Sequence, residues 1–230
     1  MPPGKVPIAN PPPLPAAPFD AAAWAGLVGR RLVIDVPAST ANLGAGYDCL
    51  GLALDVCNTV AVEAVDGDGG IELTVTGEGE GELPPVRSNR FVAGLEDALE
   101  ASIGPRPAAI GWRIVMHNRI PLARGMGSSA AASVGGVFAG HVLGGRRLTE
   151  RQQLQLATAL EGHPDNASAA LLGGFVVSAH LDGRVEAVRF PAPDGLRAVL
   201  FIPDRRLATA DMRRVTQTYI VDDPDFVDAA

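Results

Sequence analysis

The sequence is almost without lysine. Only one of its 19 basic residues is a lysine, Lys5, and it lies in a proline-rich segment at the start of the chain. A Walker-type P-loop and a protein-kinase site each place a lysine on the phosphates at a fixed point of the fold. The sequence therefore excludes both of these nucleotide-binding classes, and neither of their motifs is present.

Cysteine, long apolar runs and basic charge are also scarce. The two cysteines, Cys49 and Cys57, are too few for a disulfide framework or a zinc site. There is no apolar run of about 18 residues and no signal-peptide pattern, so we expect a cytoplasmic protein with no membrane partner. A formal charge of −7 argues against a nucleic-acid partner. Any anionic ligand must therefore be held by a local feature such as a helix N-terminus, because the overall charge repels it.

A glycine-rich segment precedes the most apolar stretch of the chain. It runs from Pro121 to Ser129 in the order PLARGMGSS and leads into the apolar residues 130–142. Glycines let the backbone approach a ligand, and the first N–H groups of a helix favour an anion. The segment therefore predicts a phosphate-binding loop, although a plain turn whose Ser128 or Ser129 caps the helix has the same local pattern.

Alternating strand and helix patterns surround this loop. The predicted strands cover residues 31–37, ending at Pro37, and residues 50–54, 59–65, 71–76, 111–119, 173–179, 185–190 and 196–202. One helix should begin at an N-cap, Ser88, followed by Asn89, which either belongs to the cap or contacts a ligand. Further helices are predicted at residues 130–143, after a Thr149–Gln152 capping box, at 167–172 and at 209–215.

Several polar residues outside the glycine-rich segment allow two interpretations. Asn42 and Asp48 lie in a loop between strands and could be turn residues or ligand contacts. Glu161 ends a helix, where the dipole disfavours an anion, so either a positive group such as Mg²⁺ lies nearby or the side chain is solvated. Asp165 and Asn166 could simply cap the next helix.

Four separated blocks resemble the GHMP kinases. The glycine-rich segment is similar to their PxxxGLGSSAA phosphate loop, with Met126 in place of leucine. Residues 39–54 resemble the SANLGPGFDSLGLAL pattern of the homoserine kinase branch, and residues 161–174 resemble its EGHPDN…ALLGG segment. Residues 203–213 match its PDxxLSTxxAR pattern more weakly. The blocks follow the order of the family.

The resemblance implies roles for individual residues. It implies that Ser129 and Glu161 hold Mg²⁺ and that Asp165 and Asn166 orient the substrate without deprotonating it, which makes these four the expected catalytic residues. The implied ATP-binding residues are Asn89, Pro121, Arg124, Gly125, Met126, Gly127, Ser128 and Ser129. The implied substrate-binding residues are Asn42, Asp48, Asp165, Asn166, Thr209 and Arg213, with the arginine on the substrate carboxylate.

The resemblance also implies a fold and an activity. We expect an α+β protein with a disordered proline- and alanine-rich tail at residues 1–27 and a ribosomal-protein-S5-domain-2-like ATP-binding domain at 28–190. Residues 191–230 should begin a ferredoxin-like domain and leave it incomplete, because residues 216–230 do not resemble the family's continuation.

The implied reaction transfers phosphate from ATP to the hydroxyl of L-homoserine, with Mg²⁺, in threonine biosynthesis. A kinase for another small alcohol and a nucleotide-binding remnant without turnover are the alternatives. ATP and L-homoserine are the expected partners, and a homodimer is left open.

Overall fold

The computed structural model describes residues 10–44, 46–82, 86–191, 195 and 197–202. Over these residues it is a two-layer α+β fold, with helices packed on one face of a mixed six-stranded sheet. The strands are β1 (Arg31–Leu43), β2 (Gly46–Asp66), β3 (Ile71–Gly77), β4 (Ile110–Asn118), β5 (Phe175–Leu181) and β6 (Arg184–Phe190). The helices are α1 (Ala21–Ala25), α2 (Arg90–Ile103), α3 (Ser128–Leu143), α4 (Glu150–Glu161) and α5 (Asp165–Leu172).

The long strand β2 is the centre of the sheet. Along one edge it pairs antiparallel with β1, and along the other it pairs with β4 through residues 59–66 and with β5 through residues 50–52. β3 adds to β4 in parallel, and β6 adds to β5. The strands predicted at residues 50–54 and 59–65 are thus two halves of a single strand.

The expectation that the first strand ends at Pro37 is wrong. β1 continues to Leu43, and the register shifts between Pro37 and Ala38. Proline is tolerated within a sheet at such a bulge, because no ladder hydrogen bond is then required from its missing N–H. The polar loop expected at residues 38–48 is therefore mostly strand, with a tight turn only after Leu43.

The helices bury their apolar sides against the sheet and against each other. Phe91, Leu95 and Leu99 of α2 are completely buried, as is Ile114 of β4. α3 contributes mostly alanine, glycine and valine, in agreement with the prediction that this helix is buried. Small side chains let α2 and α3 approach closely, and they hold the N-terminus of α3 at the edge of the sheet.

The predicted disordered tail is ordered over its described part. Residues 21–25 form α1, and the Trp24 side chain is only 1% exposed, with its ring centroid 6.4 Å from that of Trp112. Asp20 caps α1 by accepting a hydrogen bond from the Ala23 N–H. The proline content that predicts disorder ends at Pro18, and the sequence of residues 21–28 allows a short helix, in line with α1. Two large apolar residues, Trp24 and Leu27, anchor this segment to the core.

Two predictions concern the end of the chain. Residues 197–202 form no strand and expose Val199 and Phe201, so the strand predicted at 196–202 is wrong there. A strand needs a partner for its backbone groups, and none of the sheet edges described here pairs with this segment. The helix predicted at 209–215 lies outside the described residues. No helix in the described ranges combines the length and apolarity needed to cross a bilayer.

Candidate active site

The glycine-rich segment forms a tight loop that leads directly into α3. Gly125 and Gly127 have φ angles of 72° and 65°, in the left-handed region that favours glycine. Gly127 is the N-cap of α3, and among the described residues no side-chain cap accepts a hydrogen bond from the first N–H groups of this 16-residue helix. The interpretation of Ser128 or Ser129 as a helix cap is therefore wrong. The helix N-terminus is instead available to an anion.

Two adjoining cavities border this loop. The first, of about 360 Å³, is mostly apolar, and its wall includes Asn58, Asn89, Met116, Asn118 and Leu122. The second, of about 340 Å³, is more polar and is lined by Pro121 and residues 123–129 of the loop together with Asn42, Glu161, His163 and Asn166. Arg90, Ala123, Ser128 and Ser129 belong to both walls. The pair can hold a molecule with a flat apolar end and an anionic end.

A buried carboxylate lines the polar cavity. The Glu161 side chain is only 5% exposed, and its Oε1 accepts hydrogen bonds from Ser129 Oγ at 3.0 Å and Ser133 Oγ at 2.6 Å. A guanidinium nitrogen of Arg90 lies 3.2 Å from the same oxygen. The positive group expected near Glu161 is thus present as a side chain. The alternative of a solvated Glu161 is wrong.

The residues around Glu161 are also suited to a magnesium ion. Mg²⁺ prefers oxygen ligands and is commonly held by one or two carboxylates together with the phosphates of a nucleotide. Glu161 and Ser129 offer a carboxylate and a hydroxyl beside the anion-binding helix end. The described residues contain no group of three or more histidine, cysteine, aspartate or glutamate side chains that could bind a metal alone. Glu161 and Ser129 would supply part of the ligand set of a cation here, and bound phosphates would supply more of it.

Asp165 lies behind the cavity wall. Its side chain is completely buried, and its Oδ1 contacts His163 Nδ1 and accepts a hydrogen bond from the Asn166 N–H, each at 2.7 Å. His163 and Asn166 line the polar cavity themselves. The Asn166 amide oxygen accepts a hydrogen bond from Ser39 Oγ at 3.0 Å. Asp165 begins α5, and it is placed to orient its two neighbours.

The hairpin turn between β1 and β2 brings Asn42 to the polar cavity. Asn42 and Asp48 both have positive φ angles, and the Asp48 N–H donates a hydrogen bond to Asn42 Oδ1 at 2.9 Å. Asn42 thus satisfies a nearby backbone N–H, although both residues lie at the strand ends that flank the turn and not in the turn itself. Asn42 also lines the polar cavity, so a ligand contact stays a prediction. Nearby, burial lowers the pKa of His180, an effect opposed by the charge of Asp48. Thr209 and Arg213 lie outside the described residues.

Asn89 is the N-cap of α2. Its Oδ1 accepts hydrogen bonds from the N–H groups of Phe91 and Val92, so the prediction that Ser88 caps the helix is wrong. Its side chain also lines the apolar cavity, which leaves a ligand contact open beside the capping role. The eight predicted ATP-binding residues all lie on one or other cavity wall.

The chain matches known proteins over this same region. Residues 90–174, from the start of α2 to the end of α5, match the family model of the GHMP kinases N-terminal domain. This segment is a GHMP kinase domain. It contains the glycine-rich loop, Arg90, Glu161 and the Asp165 turn, so the matched residues are those that surround both cavities.

Relatives of the GHMP kinase domain extend beyond the matched segment. The homoserine kinase of Corynebacterium efficiens is 46% identical over 195 residues, which cover 82% of this chain and 62% of that protein. The homoserine kinase structure from Cytophaga hutchinsonii superimposes with a TM-score of 0.67 at 28% identity, covering 80% of this chain and 59% of the other. The L. major mevalonate kinase shares the fold, with a TM-score of 0.52 at 14% identity over 69% of this chain and 52% of that one. The chain spans about three fifths of the length of the curated relatives it matches.

Four residues of the GHMP kinase site had no role in the sequence analysis. Arg90, Ser133 and His163 contact the predicted residues Glu161 and Asp165, and Ser39 contacts Asn166. The Arg90 to Glu161 and Ser39 to Asn166 contacts join segments far apart in the chain. Only Ser133 carried a local signal, since it lies one helical turn after Ser129 on the same face of α3.

Proposed function

We propose that the chain phosphorylates the hydroxyl group of L-homoserine with ATP to give O-phospho-L-homoserine. The observation that carries this proposal is the open N-terminus of α3, which faces the same polar cavity as the Glu161–Ser129 pair. Sequence similarity to homoserine kinases supports this choice of substrate.

The two cavities suggest how the substrates would be arranged. The apolar cavity, with Asn89 and Met116 on its wall, suits the base and ribose of ATP. The loop backbone and the first N–H groups of α3 would hold the phosphates. When bound, Mg²⁺ would neutralise charge on the transferred phosphoryl group, and Glu161 and Ser129 are the residues that would hold it.

Orientation of the substrate hydroxyl would fall to Asn166 and His163 at the wall of the polar cavity. The contacts of the buried Asp165 with both of them support a role in orienting the substrate without removing the hydroxyl proton. Phosphoryl transfer depends mainly on positioning and charge neutralisation, so a dedicated base is not needed. Asn42, Asp48, Thr209 and Arg213 remain the proposed contacts to the amino and carboxylate groups of the substrate.

A turnover assay with purified protein tests the proposal. ADP release in the presence of Mg²⁺-ATP should depend on L-homoserine and should not occur with mevalonate. Glu161→Gln should reduce this rate by at least about a hundredfold, in line with the loss of a group that stabilises transition-state charge. Binding of Mg²⁺-ATP without homoserine-dependent ADP release would contradict the proposal and favour a nucleotide-binding remnant. Turnover of a different alcohol would favour another GHMP kinase.

The wider context of this activity belongs to the same proposal. We propose that the protein acts in the cytoplasm, in threonine biosynthesis, and that residues 28–190 form the ATP-binding domain while residues 191–230 begin a ferredoxin-like one. The chain covers 62% of the homoserine kinase of Corynebacterium efficiens, so that protein is longer than this chain. A homodimer remains open, and sedimentation of the purified protein would decide it.

A further inference from the structure

Two charged residues near the cavities stand at helix ends that disfavour their charge. Arg90 is the first residue of α2, where the helix dipole opposes a cation, and the first turn of α2 carries no acidic residue. Glu161 is the last residue of α4, where the dipole opposes an anion, and the last turn of α4 carries no basic residue. Neither side chain therefore stabilises its own helix through the dipole.

The two side chains meet at the wall of the polar cavity. A guanidinium nitrogen of Arg90 lies 3.2 Å from Glu161 Oε1, and the same nitrogen donates a hydrogen bond to the Leu160 carbonyl. The environments of the two partners differ, because the Glu161 side chain is 5% exposed and that of Arg90 is 44% exposed. The carboxylate is enclosed by protein, whereas the guanidinium is partly open to solvent.

Glu161 does not need Arg90 to keep its position. Ser133 is completely buried on α3 and donates a hydrogen bond to Glu161 Oε1 at 2.6 Å, and Ser129 donates a second one. Arg90 therefore contributes mainly a positive charge beside the Glu161 carboxylate, while the two serines hold that carboxylate in position. Arg90 also lines the polar cavity with the glycine-rich loop, so a displaced guanidinium would remain within the space that suits phosphates.

We propose that Arg90 is a movable counter-ion of Glu161 that couples cation binding to nucleotide binding. In the ligand-free protein Arg90 neutralises the Glu161 carboxylate. When Glu161 binds a divalent cation, Arg90 leaves the carboxylate and turns to the nucleotide phosphates. This inference rests on the proposed function for the identity of the ligands.

Binding of Mn²⁺, measured by electron paramagnetic resonance, tests the proposal without any phosphoryl transfer. Arg90→Gln should bind Mn²⁺ alone about two- to fivefold more tightly than the unchanged protein, because the cation no longer displaces a positive side chain. A non-hydrolysable ATP analogue should strengthen Mn²⁺ binding less in Arg90→Gln than in the unchanged protein, since the displaced arginine is missing. Arg90→Lys should restore part of this coupling.

The controls separate this role from a structural one. Arg113→Gln removes an arginine of similar exposure that pairs with Glu63 and Glu72 on the sheet, and it should leave Mn²⁺ binding unchanged. Glu161→Gln should abolish the difference between Arg90→Gln and the unchanged protein. Unchanged or weaker Mn²⁺ binding by a folded Arg90→Gln variant would overturn the proposal, as would the absence of any Mn²⁺ binding. A failure to phosphorylate homoserine would leave these measurements unaffected, because they contain no substrate alcohol.

Discussion

At the residue scale, the site depends on contacts between segments that are distant in the chain. The sequence places Ser129 and Glu161 correctly as neighbours through resemblance to a family, and their hydroxyl and carboxylate lie 3.0 Å apart. Arg90 could not be predicted as a partner of Glu161, because a charge at a helix start has no visible partner until the fold brings one close. His163 was missed for the same reason, since its spacing fits no metal site and its role comes from Asp165.

Gly127 is the residue of the loop with the least freedom to change. A Cβ atom there would lie 2.2 Å from Ser39 Oγ and 3.0 Å from Asn166 Oδ1, and φ is 65°. A Cβ atom at Gly125, where φ is 72°, would meet nothing within 4 Å. Gly125→Ala should therefore cost only the backbone strain, roughly 1–2 kcal/mol of the free energy of unfolding. Gly127→Ala should cost clearly more and abolish binding of the ATP analogue.

Urea unfolding and calorimetric titration of the two variants check this comparison. Equal losses of stability and of nucleotide affinity would show that the contact with Ser39 does not shape the loop.

His141, in the last turn of α3, should make stability depend on pH. Burial lowers the pKa of this imidazole below its ordinary value, and the charge of Arg146 lowers it further. Between the lowered pKa and the unfolded value of about 6.5, the unfolded chain binds more protons, so the free energy of unfolding falls as the pH decreases through this interval. Between about pH 5 and pH 7.5, an interval around the ordinary pKa of histidine, the free energy of unfolding of His141→Gln should change less with pH than that of the unchanged protein. Denaturant unfolding at several pH values measures this difference.

The exposed His117 provides the matched control for His141. Its replacement by glutamine removes an imidazole that contacts Thr76 at the surface. A pH dependence that is as steep in His141→Gln as in His117→Gln would contradict the assignment to His141.

At the scale of elements, most strands and helices follow from local pattern, and the exceptions have identifiable causes. The strands at residues 71–76 and 185–190 and the Thr149–Gln152 capping box agree closely with the structure. The strand break expected at Pro37 does not occur, because a bulge accommodates the proline. Local pattern could not reveal this, since the partner that tolerates the shift, β2, lies in another segment.

Because α2 and α3 lie so close together, replacing a glycine of α3 by alanine should have a very different effect on stability at neighbouring positions. A Cβ atom at Gly136 would lie 2.0 Å from the Phe91 carbonyl oxygen, whereas one at Gly135 would meet a Val36 side-chain carbon at 2.9 Å. Alanine stabilises a helix by about 1 kcal/mol relative to glycine. That gain is lost where the added methyl group collides with backbone atoms, because these cannot move aside as a side chain can. Gly136→Ala should therefore lower the free energy of unfolding by about 2–3 kcal/mol, and Gly135→Ala should change it by less than about 1 kcal/mol.

Chemical denaturation of these two neighbouring variants measures the difference directly. A Gly136→Ala protein at least as stable as Gly135→Ala would mean that the two helices can separate without loss.

At the scale of the whole molecule, resemblance and pattern together anticipate the α+β architecture and the position of the glycine-rich loop. What they miss is how the segment around Trp24 meets the core. The segment around Trp24 is packed against Trp112, although its composition is that of a solvated tail. Composition is an average over many residues. It does not show that burial of one tryptophan orders the segment more strongly than several prolines disfavour order.

The hydrogen bond from Ser39 to Asn166 has a consequence for the order in which the molecule assembles. The two residues are separated by 127 positions, and Gly127 is packed between them. Contacts of such long range form slowly, because a large loop must close before they stabilise anything. The ligand site should thus be completed only after the folding barrier has been crossed. An ATP analogue present in folding and unfolding experiments should lower the unfolding rate constant and leave the folding rate constant unchanged. The nucleotide would thus lengthen the lifetime of the native state without making the chain fold faster.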